Sequence, residues 1–193
     1  MTKQEIIDIL KECEAFLEGH FLLSSGLHSG GYCQCAKLLR YPDKAAAVLA
    51  EVAAQVEDLG ITKVCGPAMG GIIVSYELAR QLGVESVFTE RKDGVMQLRR
   101  GFTAGKGDRV LISEDVVTTG KSTLETVDAL TAMGAEVVGV ACIADRTKGE
   151  SALNMPIYSA VKLDFPTYAP EDCPLCKTGA PLVKPGSRAE LKG

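Results

Sequence analysis

What the chain lacks narrows its function before any motif is read. Basic charge is not in excess, since Lys and Arg total 21 against 25 Asp and Glu, for a net charge of -4. That balance supplies no global field for holding nucleic acid or an anionic membrane, so any cationic site must be local. No apolar run approaches the ~18–20 residues that span a bilayer. Met1-Thr2-Lys3-Gln4-Glu5 leads into an amphipathic helical pattern with no signal-peptide core, and a cytoplasmic location is expected. Internal repeats, low-complexity tracts and the composition of disorder are missing as well.

What is there fits one domain with room for a small appendage: 193 residues, 46% of them apolar, are enough to bury a proper core. The seven cysteines form an odd set, and Cys65 and Cys142 fall in apolar strand-like runs. A chain this long needs no staples, so mostly reduced thiols are expected.

Helix-like and strand-like segments alternate along the chain, as in parallel α/β folds. Ile6, Ile7, Leu10, Phe16 and Leu17 predict a first helix, and residues 42–59 a second, ended by Gly60. A strand at 63–66, a glycine-containing turn at 67–71, a helix over 72–82 and a strand near 86–89 make a βαβ unit. Strands follow at 109–113, 136–144 and 157–163, with a helix at 121–133. The strand runs are short and apolar, as suits strands covered on both faces. Residues 91–107 match neither period and carry Arg91, Lys92, Arg99, Arg100 and Lys106, which reads as a mobile loop or a β-arm. Beyond Phe165 the composition turns to Pro, Gly and Cys, as in a surface tail packed on the domain.

The most informative stretch is LISEDVVTTGKST, residues 111–123. Its GKST end invites comparison with a nucleotide-binding P-loop, but Asp115 stands where the first glycine of that motif belongs, and its charge would repel a triphosphate. A sugar phosphate needs both halves of the stretch. Glu114 and Asp115 can accept hydrogen bonds from vicinal ribose hydroxyls. The turn Thr118, Thr119, Gly120, Lys121, Ser122 and Thr123, with its N–H groups, hydroxyls and helix start, can seat a 5′-phosphate. The carboxyl ends of parallel strands are also where open α/β sheets bind ligands.

This strand, acidic pair and TTGKST together resemble the phosphoribosyl-pyrophosphate (PRPP) binding motif of type I phosphoribosyltransferases. Gly66-Pro67-Ala68-Met69-Gly70-Gly71 is similar to the family's pyrophosphate-binding loop, with Ala68, Met69 and Gly70 at its centre. Phe21 to Tyr32, FLLSSGLHSGGY, is similar to the hood of the orotate-specific members. The resemblance implies orotate contacts from Ser24, Ser25, Tyr32 and Thr118, and a guanidinium fork from Arg146 on the orotate carboxylate. Hypoxanthine, adenine and uracil have no carboxylate for that arginine. The bland reading of Arg146 is a salt bridge to Asp145 or a surface charge.

The implied architecture is a single α/β domain over 1–193 with the type I phosphoribosyltransferase fold. Its mostly parallel sheet is flanked by helices in a core of about 42–164. The hood takes about 1–40 plus the tail 165–193, and the mobile basic loop 91–107. The implied activity is transfer of ribose 5-phosphate from PRPP to orotate in pyrimidine (UMP) biosynthesis. Lys92 and Arg91, which would also contact PRPP, stabilise the departing pyrophosphate. Mg²⁺ is expected as cofactor, held mainly by PRPP oxygens and not by a protein cage. A homodimer sharing its sites through the loop is implied, with neither nucleic acid nor membrane as partner. Two features depart from the pattern: Ser24 stands where other members commonly have Lys, and Asp93-Gly94 follows Arg91-Lys92 where they carry a further Lys and a His. Two other readings remain: a phosphoribosyltransferase for another base, or a non-catalytic PRPP-sensing regulator. The chain offers neither a nucleic-acid-binding module nor a strong basic face for the latter. Cys173 and Cys176 could form half of a zinc site with Cys33 and Cys35 as the other half, remain buried thiols, or form a reversible disulfide. His28 reads as an ordinary polar loop residue.

Overall fold

The computed structural model describes residues 1–23, 25–147 and 153–185. The chain opens with helix α1 (Lys3–Glu12), whose Thr2 hydroxyl accepts from the Glu5 N–H while the Glu5 carboxylate accepts from the Thr2 N–H. Phe16 and Leu17 do not extend this helix. Glu14 takes a positive φ of 55° just past the cap Cys13, the chain reverses, and Phe16 starts strand β1 (Phe16–Leu22) opposite Cys33. β2 (His28–Cys33) returns antiparallel, and short α2 (Ala36–Leu39) leads into α3 (Pro42–Val56), which starts on a proline and closes in a 3₁₀ turn ended by left-handed Gly60.

The core then alternates as predicted. β3 (Lys63–Pro67), α4 (Gly70–Leu82), β4 (Glu85–Lys92), β5 (Val95–Leu98), β6 (Arg109–Val117), α5 (Lys121–Ala132), β7 (Glu136–Asp145) and β8 (Ile157–Lys162) form one sheet ordered β5-β4-β3-β6-β7-β8. All its pairings are parallel except β4 with β5. Adjacent residues of the central strands serve opposite faces. Val64, Leu111 and Ala141 pack with α1, α3 and α4, whereas Cys65, Ile112 and Cys142 pack with Leu130 of α5. Each fully buried aliphatic side chain contributes roughly 1.5–3 kcal/mol by leaving water.

Two strands run longer than their apolar segments. β6 continues through the acidic pair because β7 keeps pairing with it, Glu114 opposite Cys142 and Val117 opposite Asp145. The carboxylates therefore belong to the strand end and not to the loop beyond. β4 extends to Lys92 because residues 91–98 form a hairpin, Arg91 opposite Met96 and Lys92 opposite Val95. Its tip is Asp93-Gly94, both with positive φ, the arrangement a two-residue hairpin turn requires. Of loop and β-arm, the structure has the arm.

The hood is a separate sheet, β1-β2-β9, in which β9 (Thr167–Tyr168) comes from the tail. The tail continues through α6 (Pro174–Lys177) and runs beside β1, where Leu22 N–H donates to the Val183 carbonyl and Val183 N–H to the His20 carbonyl.

Candidate active site

Three segments converge at the carboxyl end of the sheet. At the end of β6 the Glu114 carboxyl is pushed up to about 8, by burial first and by the Asp115 charge second, with a Thr123 hydrogen bond pulling the other way. Asp115 is also raised, chiefly by burial, although its carboxylate accepts from the Val116 N–H at 2.8 Å. Among the described residues neither acid has an ion-pair partner. Two neighbouring carboxylates, short of donors and shielded from water, suit a ligand that brings hydroxyls or a cation.

Beyond them the turn over 118–120 enters α5 through Gly120, left-handed at φ 70°. A Cβ there would lie 2.5 Å from Leu153, so glycine meets both the backbone and the space requirement. No side chain caps α5, and its first N–H groups stay open toward a cavity of roughly 90 Å³ lined by Glu114 and residues 116–123. An uncapped helix start with exposed Thr118, Thr119 and Lys121 and half-buried Ser122 favours a phosphate group. Thr123 does not join them. It is 1% exposed and its hydroxyl serves Glu114.

The loop from β3 to α4 closes the third side. Met69 is 84% exposed, Ala68 is exposed, and the Ala68–Met69 peptide is cis. The glycines here pack the loop onto β6 as well as opening its outer face. A Cβ on Gly70 would sit 2.8 Å from the Asp115 carboxylate, one on Gly71 2.5 Å from the Ser113 carbonyl, and one on Gly66 2.1 Å from the Gly71 carbonyl. Sequence pattern marks these positions as small; only the fold shows that they hold the loop against the acids.

Arg146 follows β7, its N–H donating to the Val117 carbonyl at 2.8 Å. Its guanidinium lies 4.9 Å from the Phe165 ring, burial lowers its pKa, and its buried Nε has no hydrogen-bond partner. The salt bridge to Asp145 does not form. Asp145 accepts from the Thr147 N–H and hydroxyl and faces Lys162 at 3.8 Å. Gly31 makes room for the Phe165 ring, which a Cβ would meet at 2.3 Å. Tyr32, half-buried on β2 with its ring 5.9 Å from Phe21, is raised by its own burial and feels the opposing charges of Arg146 and Asp115. The hood face thus meets the strand ends. Ser25 is exposed at the hood turn, and Ser24 lies outside the described residues.

The phosphoribosyl transferase domain family matches residues 40–170, which hold the acidic pair, the turn, the glycine loop and Arg146. The chain belongs to that family. Its sequence is 50% identical over 188 residues to an orotate phosphoribosyltransferase of Caldanaerobacter subterraneus subsp. tengcongensis, covering 97% of this chain and 99% of that one. Among solved structures it resembles orotate phosphoribosyltransferase from Aeropyrum pernix, with TM-score 0.69 and 27% identity over 82% of this chain and 93% of that one. The fold is shared too with the Mycobacterium tuberculosis H37Rv enzyme solved with inorganic phosphate, at TM-score 0.67 and 24% identity over 83% and 95% of the chains.

The basic hairpin is held by surface ion pairs. Arg91 pairs with Glu125 of α5 and donates to the Gly94 carbonyl, while Arg99 and Arg100 both pair with Glu90 at 3.1 and 3.0 Å. Lys92 is exposed beside the tip and makes no ion pair among the described residues. The cysteine reading changes. Cys33 and Cys35 face each other at 3.5 Å in the core and do not reach Cys173 and Cys176. Those two lie against His20 and His28, and His28 is a buried strand residue, not a loop residue. The signal was available: the chain has two histidines, and both flank the hood turn.

Proposed function

We propose that the chain is an orotate phosphoribosyltransferase acting in pyrimidine nucleotide synthesis. It transfers ribose 5-phosphate from PRPP to N1 of orotate, with orotidine 5′-monophosphate and pyrophosphate as products. The observation that carries this is Arg146: a buried, unpaired guanidinium donor at the strand end, held on Phe165 and facing the hood tyrosine. A buried donor of this kind is costly unless an acceptor completes it, and orotate is the base with a carboxylate.

In this reading the α5 turn seats the 5′-phosphate, Glu114 and Asp115 accept from the ribose hydroxyls, and Ala68, Met69 and Gly70 face the pyrophosphate. The C1′–oxygen bond breaks with its electron pair leaving on pyrophosphate, and N1 of orotate forms the new C1′ bond, its proton passing to solvent. Positive charge builds on the sugar as negative charge builds on the leaving group. Lys92 and Arg91 stabilise that departure, Arg91 first exchanging Glu125 for the phosphoryl oxygens. Mg²⁺ fits here because the nearby protein groups are hard carboxylate oxygens with no cation of their own. Held mainly by PRPP oxygens near Glu114 and Asp115, it would offset charge on the pyrophosphate.

A homodimer sharing its sites through the hairpin follows from the same reading. It is supported by an apolar surface on α4, where Ile73 is 52% and Tyr76 67% exposed next to Met69. Beside it lies a depression lined by Ile72, Phe88 and Phe102.

The test is product formation from PRPP and Mg²⁺ with orotate, uracil, hypoxanthine or adenine. Orotate alone is expected to react, and Arg146→Ala should raise the orotate KM by tenfold or more, about 1.4 kcal/mol, with the PRPP KM little changed. Equal use of a base without a carboxylate refutes the assignment. Lys92→Ala should lower kcat by two or more orders of magnitude, roughly 3 kcal/mol, with a modest loss of PRPP affinity, and an unchanged kcat removes Lys92 from its role.

A further inference from the structure

The hood holds a second constellation, away from the sheet ends, that the transfer reaction does not use. His20, His28, Cys173 and Cys176 bring one ligand atom each to within 4.8 Å of one another. His20 Nε2 lies 2.9 Å from His28 Nδ1, 3.5 Å from Cys173 Sγ and 3.7 Å from Cys176 Sγ, and Cys176 Sγ lies 3.3 Å from His28 Nδ1. A tetrahedral zinc ion with bonds of about 2.0 Å to nitrogen and 2.3 Å to sulfur needs nitrogen–sulfur edges of about 3.6 Å and a nitrogen–nitrogen edge of about 3.3 Å. Those four separations match the edges to within about 0.4 Å, and the remaining pairs lie within 4.8 Å.

The protonation pattern points the same way. His20 Nδ1 lies 3.0 Å from the Ala180 carbonyl, which can only accept, so Nδ1 carries the hydrogen and Nε2 presents a lone pair. That lone pair faces His28 Nδ1 and both sulfurs. A ring fixed by a backbone carbonyl on its far nitrogen is how metal-binding histidines are oriented. Three of the four groups are buried.

We propose that His20, His28, Cys173 and Cys176 form a structural zinc site that fastens the C-terminal tail to the hood. Two thiolates and two neutral imidazoles balance the ion's charge, and their mixed nitrogen and sulfur donors favour zinc over hard cations. Each element presents its ligand for a local reason. The β1–β2 register shifts between Glu18 and Phe21, a bulge that re-aims His20. His28 opens β2, paired with Leu22 on one side and Tyr168 on the other. Cys173 caps α6 and Cys176 sits one turn later, so Pro174-Leu175 turns both sulfurs to one side. All four protein ligands are supplied, leaving no open position for substrate. The ion therefore acts on the fold, holding the segment that carries Tyr32 and Phe165, and the site stands whether or not orotate is the substrate.

Zinc content, read by elemental mass spectrometry on full-length protein purified without chelator, tests this directly. About one zinc per chain is expected. It should fall to background in Cys173→Ser and in His20→Asn and be retained in the Cys33→Ser, Cys35→Ser double variant. Cobalt(II) added to chelator-stripped wild-type protein should give the strong visible bands of a tetrahedral ion with thiolate charge transfer in the near ultraviolet. This readout holds even if a variant fails to fold. Background zinc in the wild type together with weak octahedral cobalt bands overturns the proposal. So does a Cys173–Cys176 disulfide in the freshly purified protein, or full zinc retention when both of those cysteines are serine.

Discussion

Glu114 shows how one residue ties ligand binding to stability. Its ordinary value of 4.5 is raised to about 8 in the folded chain, so between those values the native state keeps a proton that the unfolded chain has lost. The sign is therefore negative: this stabilisation is full below about 4.5, is lost as pH rises to about 8, and levels off above that. A shift of this size corresponds to a ceiling of roughly 5 kcal/mol, reduced by the water that still reaches the carboxyl. Glu114→Gln cannot ionise, and its melting temperature should gain on the wild type as pH is raised from about 5 to about 8.5, read by calorimetric scans. A difference constant with pH would contradict the burial assignment. The same change should weaken PRPP binding, because an amide offers the ribose hydroxyls one acceptor in place of two. Stability and function pull apart at this residue, as at many sites that hold charge out of water.

Among the elements, the loop joining β3 to α4 is the one most tightly specified by packing. Its glycines are pressed against the end of β6, beneath an exposed outer face at Ala68 and Met69. Gly70→Ala would place a methyl group 2.8 Å from the Asp115 carboxylate and displace the acid or the loop. PRPP and pyrophosphate should then bind at least tenfold more weakly, about 1.4 kcal/mol, by isothermal calorimetry. Wild-type affinity in this variant would show that the approach is slack. The hairpin is built on the opposite plan. Apart from Met96 its residues are largely exposed, its turn is two residues, and its arginines are held by Glu90 and Glu125 at the surface. Exposed pairs of this kind are worth ~1 kcal/mol or less each, so the arm can exchange them for a ligand at little cost.

For the whole molecule the property at stake is assembly. Tyr76 and Ile73 are largely exposed on α4 and lie outside the buried core, so a charge at Tyr76 leaves that core intact. If the proposed homodimer forms, the wild type should sediment as a dimer at micromolar concentrations and Tyr76→Glu as a monomer. Its kcat should fall as well, because the hairpin of one protomer then has no neighbouring site to close. A wild-type monomer, or a monomeric variant of full activity, would rule out shared sites. Among the described residues no helix is long and apolar enough to cross a membrane.

Local chemistry alone determined the alternating α/β order, the helix bounded by Pro42 and Gly60, and the acid–turn–helix run at 111–123, because each is written in neighbouring residues: apolar period, caps, and glycine where φ must be positive. Tertiary structure decided the rest. Pairing with β7 and β5 carried β6 and β4 past their apolar segments. A chain reversal at Glu14 turned Phe16 and Leu17 into a strand, and Arg146 found Phe165 in place of Asp145. His20 and Cys173 are 153 residues apart and 3.5 Å distant. No local pattern encodes such a meeting, because it depends on where a tail settles against a sheet, and that is fixed by the packing of the whole chain.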